Sequence, residues 1–333
     1  MKRIGITTTV PVEVVLAAGA VPIDLNNLFI SDPDPASLIT IAEKAGFPLN
    51  TCAWIKGIYG ATLKYGIANV ICVTGGDCSN TLMLMEVLRH KGVRTIPFAY
   101  PPIPDCNQVT TAIDRLATDL GVTRQAAEQV RKELLPTRKL TAELDRFTWA
   151  ENRISGKENH FWLVSASDFN SDVGAFTDQL GAVIQKAAIR DPYPADEIRL
   201  GLIGVPPVYA SQLYPFLEGY GGRVVYNEVQ RQFAMPYDVA DLGEQYTRYT
   251  YPYATEQRIE DIKTATTQRN LDGIIHYVQS FCHRAIGDIL IRFELGVPIL
   301  TIEGNMDFGL SQHLKTRLEA FLDMLSLKRT ATR

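Results

Sequence analysis

The sequence lacks the patterns that mark several common protein classes. Its 333 residues contain no apolar run near the roughly 18 residues that a membrane-spanning helix needs. It has no basic stretch, and its net charge of −4 makes nucleic acid an unexpected partner. It also has no Walker A loop and no GxGxxG fingerprint, so we expect no nucleotide site of either type.

Cysteine is scarce and odd in number. The five cysteines include no CxxC pair, so a zinc ribbon or knuckle is not expected. An odd count without a secreted-scaffold pattern favours thiols, metal ligands or catalysts in a reducing compartment over disulfides. The first residues superficially resemble a signal peptide, but Pro11 and Glu13 interrupt the apolar part. We therefore expect a cytoplasmic protein.

The chain divides into three segments with different patterns. Residues 1–106 alternate strands with helices, which is typical of a parallel sheet covered on both faces. Residues 107–197 have helical spacing and end in a proline-containing linker, DPYPADE. Residues 198–333 alternate again. The sequence therefore predicts an α/β protein with an N-terminal α/β domain, a helical bridge with its linker, and a C-terminal α/β domain.

One long irregular stretch lies in the C-terminal part. Residues 231–253, RQFAMPYDVADLGEQYTRYTYPY, carry several tyrosines and prolines. The composition indicates either a substrate-facing loop or a surface excursion packed by its own aromatic residues. Both interpretations stay open.

Three cysteines lie where helices are expected to begin. Residues 69–80, NVICVTGGDCSN, indicate a buried strand, a glycine turn and a helix start at Cys78. We expect Cys52 and Cys282 at comparable strand-to-helix junctions, where parallel sheets carry their functional residues. Helix amides favour a thiolate there, which suits a metal ligand. From spacing alone ordinary thiols are the more frequent outcome, but the shared placement favours ligands of one iron–sulfur cluster.

The other two cysteines have different expected roles. Cys72 lies within the apolar strand and is interpreted as a small core residue. Cys106 follows PPIPD in a loop, where it is either a fourth ligand or an exposed thiol. Three thiolates on a four-iron cube would leave one iron open to substrate, whereas four would suit electron transfer.

Three further residues are candidates for catalysis. Glu13, in the first turn of a helix, is either a general base or an acidic residue favoured there by the helix dipole. Thr8, within the run of threonines after the first strand, either offers a hydroxyl to a substrate or caps the next helix. His283, beside Cys282, is either a proton carrier or a capping or solvent-facing residue.

Several motifs together resemble one known family, the 2-hydroxyacyl-CoA dehydratases, which include the benzoyl-CoA reductase subunits. The opening VPVEVVLAAGAVPIDL looks like the family's first segment, and TCAWIKG, GGDCSN and SFCHR look like its three cysteine segments. The closing strand VPILTIEGN and helix SQHLKTRLEAFLDML give the most specific match. The resemblance is to the D-component type of 2-hydroxyglutaryl-CoA dehydratase and covers most of the chain.

The resemblance implies a fold and a chemistry. It implies two flavodoxin-like or Rossmann-like parallel-sheet domains with a helical bridge, and between them a [4Fe–4S] cluster held by Cys52, Cys78 and Cys282. It also implies an ATP-hydrolysing iron–sulfur activator that supplies one low-potential electron. In the family, this electron reaches an acyl-CoA carbonyl and gives a ketyl radical, followed by loss of the 2-hydroxyl or by reduction of an aromatic ring. An anaerobic host is expected on the same ground.

The resemblance leaves alternatives for cofactor, partner and substrate. A related branch carries a double-cubane [8Fe–9S] cluster, which five cysteines make less expected. Family dehydratases pair homologous subunits, so either a second homologous subunit or a homodimer is expected. The chain begins almost at its first strand, without the helical region of dehydratase subunits, which motivates a reductase of a small non-CoA substrate as an alternative. A non-catalytic electron-transfer subunit is the third hypothesis.

Overall fold

The computed structural model describes residues 2–332. Its strands are β1 (Lys2–Ile6), β2 (Ala20–Asp24), β3 (Asn69–Gly75), β4 (Arg94–Ala99), β5 (Ile198–Gly204), β6 (Gly222–Asn227), β7 (Gly273–Gln279) and β8 (Ile299–Gly304). Its first helices are α1 (Val12–Ala17), α2 (Leu25–Ile30), α3 (Pro35–Lys44), α4 (Ala53–Lys64), α5 (Asn80–His90), α6 (Cys106–Leu120), α7 (Arg124–Trp149) and α8 (Gly156–Ser165).

The remaining helices lie in the second half of the chain. They are α9 (Val173–Ala188), α10 (Ala210–Gly219), α11 (Glu228–Phe233), α12 (Leu242–Thr247), α13 (Thr255–Gln268), α14 (Asp288–Glu294) and α15 (Gln312–Thr332). Two short 3₁₀ helices cover Phe169–Ser171 and His283–Gly287. Within the described part of the chain, no helix is both long and apolar enough to cross a membrane.

The eight strands form two four-stranded parallel sheets with the same topology. The strand orders are β2-β1-β3-β4 and β6-β5-β7-β8. Every neighbouring pair runs parallel. The prediction of an α/β protein with two Rossmann-like domains is therefore confirmed. In each sheet the strand order reverses between the first and third strands, where sheets of this class bind ligands at the carboxyl ends.

The chain folds into two compact units, each of which contains one sheet. The first unit comprises residues 2–139, 164–178 and 232–254, and the second comprises residues 140–163, 179–231 and 255–332. The segment predicted to be a helical bridge, 107–197, is thus shared between the units. Simple boundaries at residues 106 and 197 differ from this division because segments distant in the chain join the same unit.

The strands of the first sheet form because they are short, β-branched and apolar. Val70, Ile71 and Val73 of β3 are fully buried, as a central parallel strand requires. Asp34 and Asp105 begin helices by accepting backbone hydrogen bonds from Ser37 and Gln108, respectively. The local signals in the sequence therefore agree with the element boundaries in this unit.

Two glycines set the position of α4. A Cβ atom on Gly60 would lie 2.1 Å from the carbonyl oxygen of Leu38 in α3. A Cβ atom on Gly57 would lie 2.4 Å from the ring of Phe29 in α2. Only glycine permits such close packing of a helix against its neighbours. The packing fixes the start of α4, and Cys52 is the residue at that start.

A buried arginine organises the second unit. Arg223 of β6 is 1% exposed and pairs with Glu197, with 2.6 Å between Nε and Oε2. Its Nη1 also donates to the carbonyl oxygens of Thr148 and Ile154. These hydrogen bonds satisfy the buried charge and join the segment 140–163 to the sheet of the same unit.

Candidate active-site residues at the carboxyl ends of the two sheets

Cys78 and Cys282 occupy equivalent positions in the two sheets. Cys78 follows β3, the third strand of the first sheet, and lies two residues before α5. Cys282 follows β7, the third strand of the second sheet, and begins the 3₁₀ helix at His283. Both therefore lie at the carboxyl end of a strand that pairs with the first strand of its sheet. The predicted strand-to-helix placement of these two cysteines is confirmed.

The prediction that Cys52 follows a strand is wrong. In the described structure no strand lies between β2 and β3, and that interval holds α2, α3 and α4. Cys52 instead ends the loop after α3 and is the N-cap residue of α4. The prediction failed because the apolar residues at the start of α4 have the same pattern as residues that follow a strand. The expected position of Cys52 at a helix start nevertheless holds.

The helices at the three cysteines begin in the same way as α1, α10 and α14. No side chain makes a capping hydrogen bond at the start of α4, of α5 or of the 3₁₀ helix after Cys282. By contrast, aspartates cap α2, α3, α6 and α12. First-turn amides without a side-chain cap, together with the helix dipole, favour an anion at the helix start. A thiolate or a sulfide ion is such an anion.

The environment of the cysteines separates them into two groups. Cys52 is buried in an apolar cluster with Ile55 and Tyr59, and the half-buried Cys78 packs against the same cluster. Cys72 is also fully buried there, and desolvation raises the pKa of its thiol to about 12. Cys72 is therefore a neutral core residue, as its strand position predicts. Cys106 is exposed and lines a polar cleft of about 950 Å³ in the first unit.

The three helix-start cysteines can be compared, one by one, with what an iron–sulfur cluster requires of a ligand. Among residues 2–332, no three side chains of the Cys, His, Asp or Glu type are grouped as a metal site. Each of Cys52, Cys78 and Cys282 nevertheless offers a thiol that is buried or half-buried at an uncapped helix start. Soft thiolates in partly desolvated positions are the ligands that such clusters take.

Glu13 belongs to a buried hydrogen-bond network in the first unit. Its side chain is fully buried and pairs with Arg138, with 2.6 Å between Oε1 and Nη2. Tyr246 donates to Oε2 at 2.7 Å, and Gln245 donates to Oε1 at 2.8 Å. Burial alone would raise the pKa of Glu13, but the Arg138 charge and these hydrogen bonds lower it. Glu13 is therefore held in its charged form, which makes it a weak proton acceptor. Its hydrogen bonds suit it to holding Arg138, Gln245 and Tyr246 in place.

The three threonines after β1 have different surroundings. The hydroxyl oxygen of Thr7 accepts a hydrogen bond from the amide of Val73 at 3.0 Å, beside the irregular register of β3 and β4. The hydroxyl of Thr9 is buried and has no hydrogen-bond partner. Thr8 is 9% exposed. The hydroxyl of Thr7 is thus used by the fold, whereas the predicted substrate contact of Thr8 stays a prediction.

The tyrosine-rich stretch packs onto the first unit. Tyr246, Tyr249, Tyr251 and Tyr253 are at most 5% exposed. Tyr249 and Tyr253 contact the ring of Tyr100, which follows β4, with ring centroids 5.8 and 6.4 Å apart. Part of residues 231–253 is therefore packed by its aromatic residues, as one of the two interpretations predicts. These tyrosines lie in the core of the first unit, however, and not in a surface excursion. A glycine is required beside them, because a Cβ atom on Gly76 (φ +90°) would lie 2.9 Å from the Cβ of Tyr100.

The second unit places a comparable ion pair near Cys282's sheet edge. Glu228, which begins α11 directly after β6, is fully buried and pairs with Arg258 at 2.7 Å. Its Oε2 also accepts a hydrogen bond from the amide of Gly204, the last residue of β5. Burial would raise the pKa of Glu228, but the Arg258 charge and these hydrogen bonds lower it.

His283 lies in the 3₁₀ helix directly after Cys282. Partial desolvation of its ring and the charge of Arg284 lower its pKa. The residue before Cys282, Phe281, has a φ of +61°, which is unusual for an aromatic residue. The structure therefore places His283 beside a turn of unusual backbone, and its proton-carrier role stays a prediction.

A comparison with protein families matches most of the chain to one family. The family model described as 2-hydroxyglutaryl-CoA dehydratase, D-component, matches residues 7–325. The chain belongs to this D-component family. The resemblance inferred from the cysteine segments and the closing helix is thereby confirmed. No curated protein matches the chain.

Membership of the D-component family gives a coarse functional class. The family includes 2-hydroxyacyl-CoA dehydratases, which are lyases, and it implies a dehydratase-type subunit that works with a partner subunit and an activator. The matched region includes all three cysteine segments and the closing strand β8.

The network around Glu13 is what sequence reasoning missed in this D-component chain. Arg138 is 125 residues from Glu13, and Tyr246 is 233 residues away. No local pattern reports such pairings. The one available signal was the unusual density of tyrosines in residues 231–253, because buried tyrosines usually seek a hydrogen-bond partner.

Proposed function

We propose that this chain is the cluster-carrying subunit of a 2-hydroxyacyl-CoA dehydratase-type enzyme. The observation that carries the proposal is the shared placement of three thiols at uncapped helix starts. Two of these thiols follow the third strand of identically ordered sheets. The family match over residues 7–325 supports the same conclusion.

Cys52, Cys78 and Cys282 are the proposed ligands. When bound, a [4Fe–4S] cluster would supply one-electron chemistry at low potential, with one iron not ligated by cysteine. Cys72 is assigned no role as a ligand because it lies within β3 and is fully buried in the apolar cluster of the first unit. The exposed Cys106 is assigned no role in holding the cluster.

The remaining residues have separate roles. The ion pair of Glu13 with Arg138 fixes α1 and, with it, the threonine turn at the carboxyl end of β1. The hydroxyl of Thr8 donates a hydrogen bond to an oxygen of the substrate. His283, whose lowered pKa favours the neutral ring, accepts or returns a proton at a ring nitrogen.

The proposed substrate is a 2-hydroxyacyl-CoA thioester. Its dehydration removes the 2-hydroxyl group and a β-hydrogen as water and leaves a 2-enoyl thioester. The β-hydrogen is not acidic in the starting thioester, so a direct elimination has a high barrier. An electron supplied by an ATP-hydrolysing activator makes the elimination feasible, and the electron is recovered when the product forms.

An anaerobic assay tests this function. The chain, purified together with its partner subunit, is combined with its activator, ATP and either 2-hydroxyglutaryl-CoA or a second 2-hydroxyacyl-CoA thioester, and the enoyl-CoA product is measured by mass spectrometry. EPR spectra are recorded with and without each thioester. We expect product and a changed spectrum for at least one thioester, no product with Cys78→Ser, and an unchanged rate with Cys106→Ser.

Other outcomes contradict the proposal in distinct ways. A cluster whose spectrum responds to no acyl-CoA but to a small non-CoA oxidant would replace the dehydratase with a reductase. A cluster that responds to no small ligand would replace it with an electron-transfer subunit. Equal activity of the Cys78→Ser and Cys106→Ser variants would remove the basis for the assigned ligands.

A further inference from the structure

A strained turn lies in the first unit, beside the carboxyl end of β2. The three residues of the short 3₁₀ helix there all have a positive φ, which is 54° for Phe169, 50° for Asn170 and 66° for Ser171. None of them is glycine, and the left-handed region is unfavourable for other residues because Cβ lies too close to the following carbonyl oxygen. Contacts from outside the turn must therefore hold this conformation.

The carboxyl group of Asp168 holds the turn to the sheet. Its Oδ2 accepts a hydrogen bond from the backbone amide of Asp24, the last residue of β2, at 2.7 Å. Its Oδ1 accepts another from the amide of Asn170 at 3.0 Å. One carboxyl group therefore joins the strained turn to the edge strand of the first sheet.

A second buried carboxyl group, that of Asp24, interacts with the first. Asp24 is 3% exposed and Asp168 is 5% exposed. Burial, and then the charge of Asp24, raises the pKa of Asp168 to about 7, and burial raises the pKa of Asp24 as well. Two interacting buried carboxyl groups retain one proton between them, because full ionisation would place two like charges in a desolvated site.

The neighbours of the pair are uncharged. The backbone amide and the side-chain Nδ2 of Asn26 both donate to Oδ1 of Asp24 at 2.9 Å. The side chains of Ser167 and Asn27 are the other polar neighbours. In the part of the chain that the structure describes, no lysine, arginine or histidine forms an ion pair with either carboxyl group. A proton, rather than a cation, therefore reduces the charge of the pair.

The strained turn also supports the ion pair that holds α1. The ring of Phe169 is fully buried and packs against Phe176 of α9, with ring centroids 5.5 Å apart. The guanidinium carbon of Arg138, on α7, lies 5.6 Å from the centroid of the same ring. Arg138 pairs with Glu13 at 2.6 Å. This cation is thus committed to Glu13, and the turn provides the aromatic ring against which it lies.

We propose that the proton shared by Asp24 and Asp168 is a pH-sensitive latch that holds residues 164–172 on the first sheet. Loss of the proton leaves two buried carboxylates that repel each other beside a turn of unfavourable backbone, so the segment opens. In the open segment both carboxyl groups reach water, where the pKa of aspartate is about 3.9. The folded pKa is raised, so opening becomes about tenfold more favourable per pH unit between about pH 4 and 7 and then levels off.

The latch goes beyond the proposed function, and only its consequence at the substrate site rests on that function. Opening removes Phe169 from beside Arg138 and loosens the Glu13 pair that fixes the threonine turn after β1. The test needs neither substrate nor activator. Failure of the latch would leave the assignment of the cysteines untouched, and failure of the dehydratase assay would leave the latch measurement valid.

Hydrogen–deuterium exchange of the full-length, anaerobically purified chain tests the latch. Exchange is followed by mass spectrometry at pH 5, 6, 7 and 8, and the intrinsic rate at each pH is divided by the observed rate to give a protection factor. We expect the protection factor of residues 164–172 to fall about 50- to 100-fold between pH 5 and 8. It should stay at least about tenfold below that of β3, because the segment opens while the rest of the unit stays folded.

Variants of the carboxyl groups test the origin of this fall. Asp168→Asn should reduce it to less than about tenfold, and the double variant Asp24→Asn, Asp168→Asn should abolish it, because no buried carboxyl group then remains. The matched control is Asp172→Asn in the same segment. Asp172 is exposed and caps α9 by accepting from the amide of Ala175, and asparagine caps equally well, so the wild-type fall should remain. Circular dichroism confirms that the variants fold.

A separate variant tests the strain in the turn. Glycine adopts a positive φ readily, so Ser171→Gly should raise the protection factor of residues 164–172 about two- to fivefold at every pH. An unchanged or lowered value would overturn the contribution of strain. A wild-type protection factor that does not change between pH 5 and 8, or a fall that persists in the double variant, would overturn the latch. Equal protection of residues 164–172 and β3 at every pH would also overturn it.

Discussion

The two units contain the same sheet but surround their cysteines differently. In both units, the third strand ends in a turn that leads to a cysteine. Each unit also contains a buried Glu–Arg ion pair. In the first unit the glutamate lies in α1, and in the second unit it directly follows β6. In the first unit, Cys52 and Cys78 belong to one packed apolar cluster. In the second unit, Cys282 lies between Phe281, which has a positive φ, and a short 3₁₀ helix with no buried residues.

This difference separates two things that a parallel sheet provides. The strand order determines where a residue at the carboxyl end will lie, and this position is the same in both units. The packing of the following helix determines how firmly that residue is held, and here the units differ. The glycine contacts of α4 fix Cys52, whereas Cys282 begins a short 3₁₀ helix with no side-chain cap. The first unit therefore provides the rigid part of the proposed site.

The largest expected effect comes from breaking the buried ion pairs. Glu13→Gln removes the carboxylate that pairs with the buried Arg138, and Glu228→Gln removes the one that pairs with the buried Arg258. Each substitution should lower the free energy of unfolding by about 3–5 kcal/mol. Denaturant unfolding monitored by fluorescence and circular dichroism measures this loss.

The exposed pair of Asp114 with Arg124 is the matched control. Both side chains are 49% exposed, and their closest atoms are 3.2 Å apart. Asp114→Asn should change the free energy of unfolding by less than about 1 kcal/mol. If Glu13→Gln lowered the free energy of unfolding as little as this control, the ion pair would not hold α1 in place. The two units would then differ in the stabilising role of their buried Glu–Arg pairs.

The second prediction concerns the rigid start of α4. Gly60→Ala places a methyl group against the carbonyl oxygen of Leu38 and should cost about 2–3 kcal/mol of unfolding free energy. It should also lower the iron content because α4 carries Cys52 at its start. Gly181→Ala, in α9, meets no atom within 4 Å and should be neutral or stabilising by up to about 1 kcal/mol. Unchanged stability and iron content in Gly60→Ala would contradict the account of α4.

The third prediction is a difference in pH dependence between the units. Burial, and then the charge of Asp24, raises the pKa of Asp168 to about 7. The folded protein therefore holds a proton that the unfolded chain releases, and this stabilisation is lost as pH rises from about 4 to 7. The slope is at most about 1.4 kcal/mol per pH unit for one proton. Glu228, whose pKa is lowered, loses its contribution in the opposite direction, as pH falls through its folded value.

Equilibrium unfolding at a series of pH values measures this difference. Asp168→Asn should remove most of the decline in stability between pH 4.5 and 7, whereas Asp114→Asn should leave it in place. Burial raises the pKa of Asp24 as well. The proton is therefore assigned to the Asp24–Asp168 pair rather than to one carboxyl group. A wild-type stability that rises steadily over this range would contradict the assigned protonation of the Asp24–Asp168 pair.

The smallest expected effect distinguishes capped from uncapped helices. Asp105 caps α6 by accepting from the amide of Gln108 at 2.9 Å. Asp105→Ala should therefore lower the free energy of unfolding by about 1 kcal/mol. Ser79, the N-cap residue of α5, makes no capping hydrogen bond, and Ser79→Ala should be within about 0.5 kcal/mol of wild type. Equal losses in thermal unfolding would show that the start of α5 is capped after all.

The sequence allowed the fold to be predicted, because its signals are local. The apolar run Val70 to Val73, the glycine turn before Cys78 and the proline-containing linker each report on a few neighbouring residues. Alternation of such signals specified two parallel sheets. The units themselves could not be predicted, because residues 164–178 and 232–254 join the first unit from distant parts of the chain.

The candidate site was predictable only in part. The glycine turn before Cys78 and the strand before Cys282 specified the position of these thiols. Cys52 was assigned a preceding strand that does not exist, since the same apolar spacing suits a helix start. The network of Glu13 with Arg138 and Tyr246 could not be predicted, because its members are brought together only by tertiary packing. The convergence of three thiols on one cluster rests on the family resemblance rather than on spacing.

The most direct test of the central claim is the iron and sulfide content of five single Cys→Ser variants. Each variant is purified without oxygen, reconstituted, and compared with wild type by chemical analysis and EPR. We predict about four irons per wild-type chain, a large loss for Cys52→Ser, Cys78→Ser and Cys282→Ser, and wild-type content for Cys72→Ser and Cys106→Ser. About eight irons would indicate a double-cubane cluster instead. A wild-type chain that binds no iron, or a loss that does not follow the three helix-start cysteines, would contradict the account.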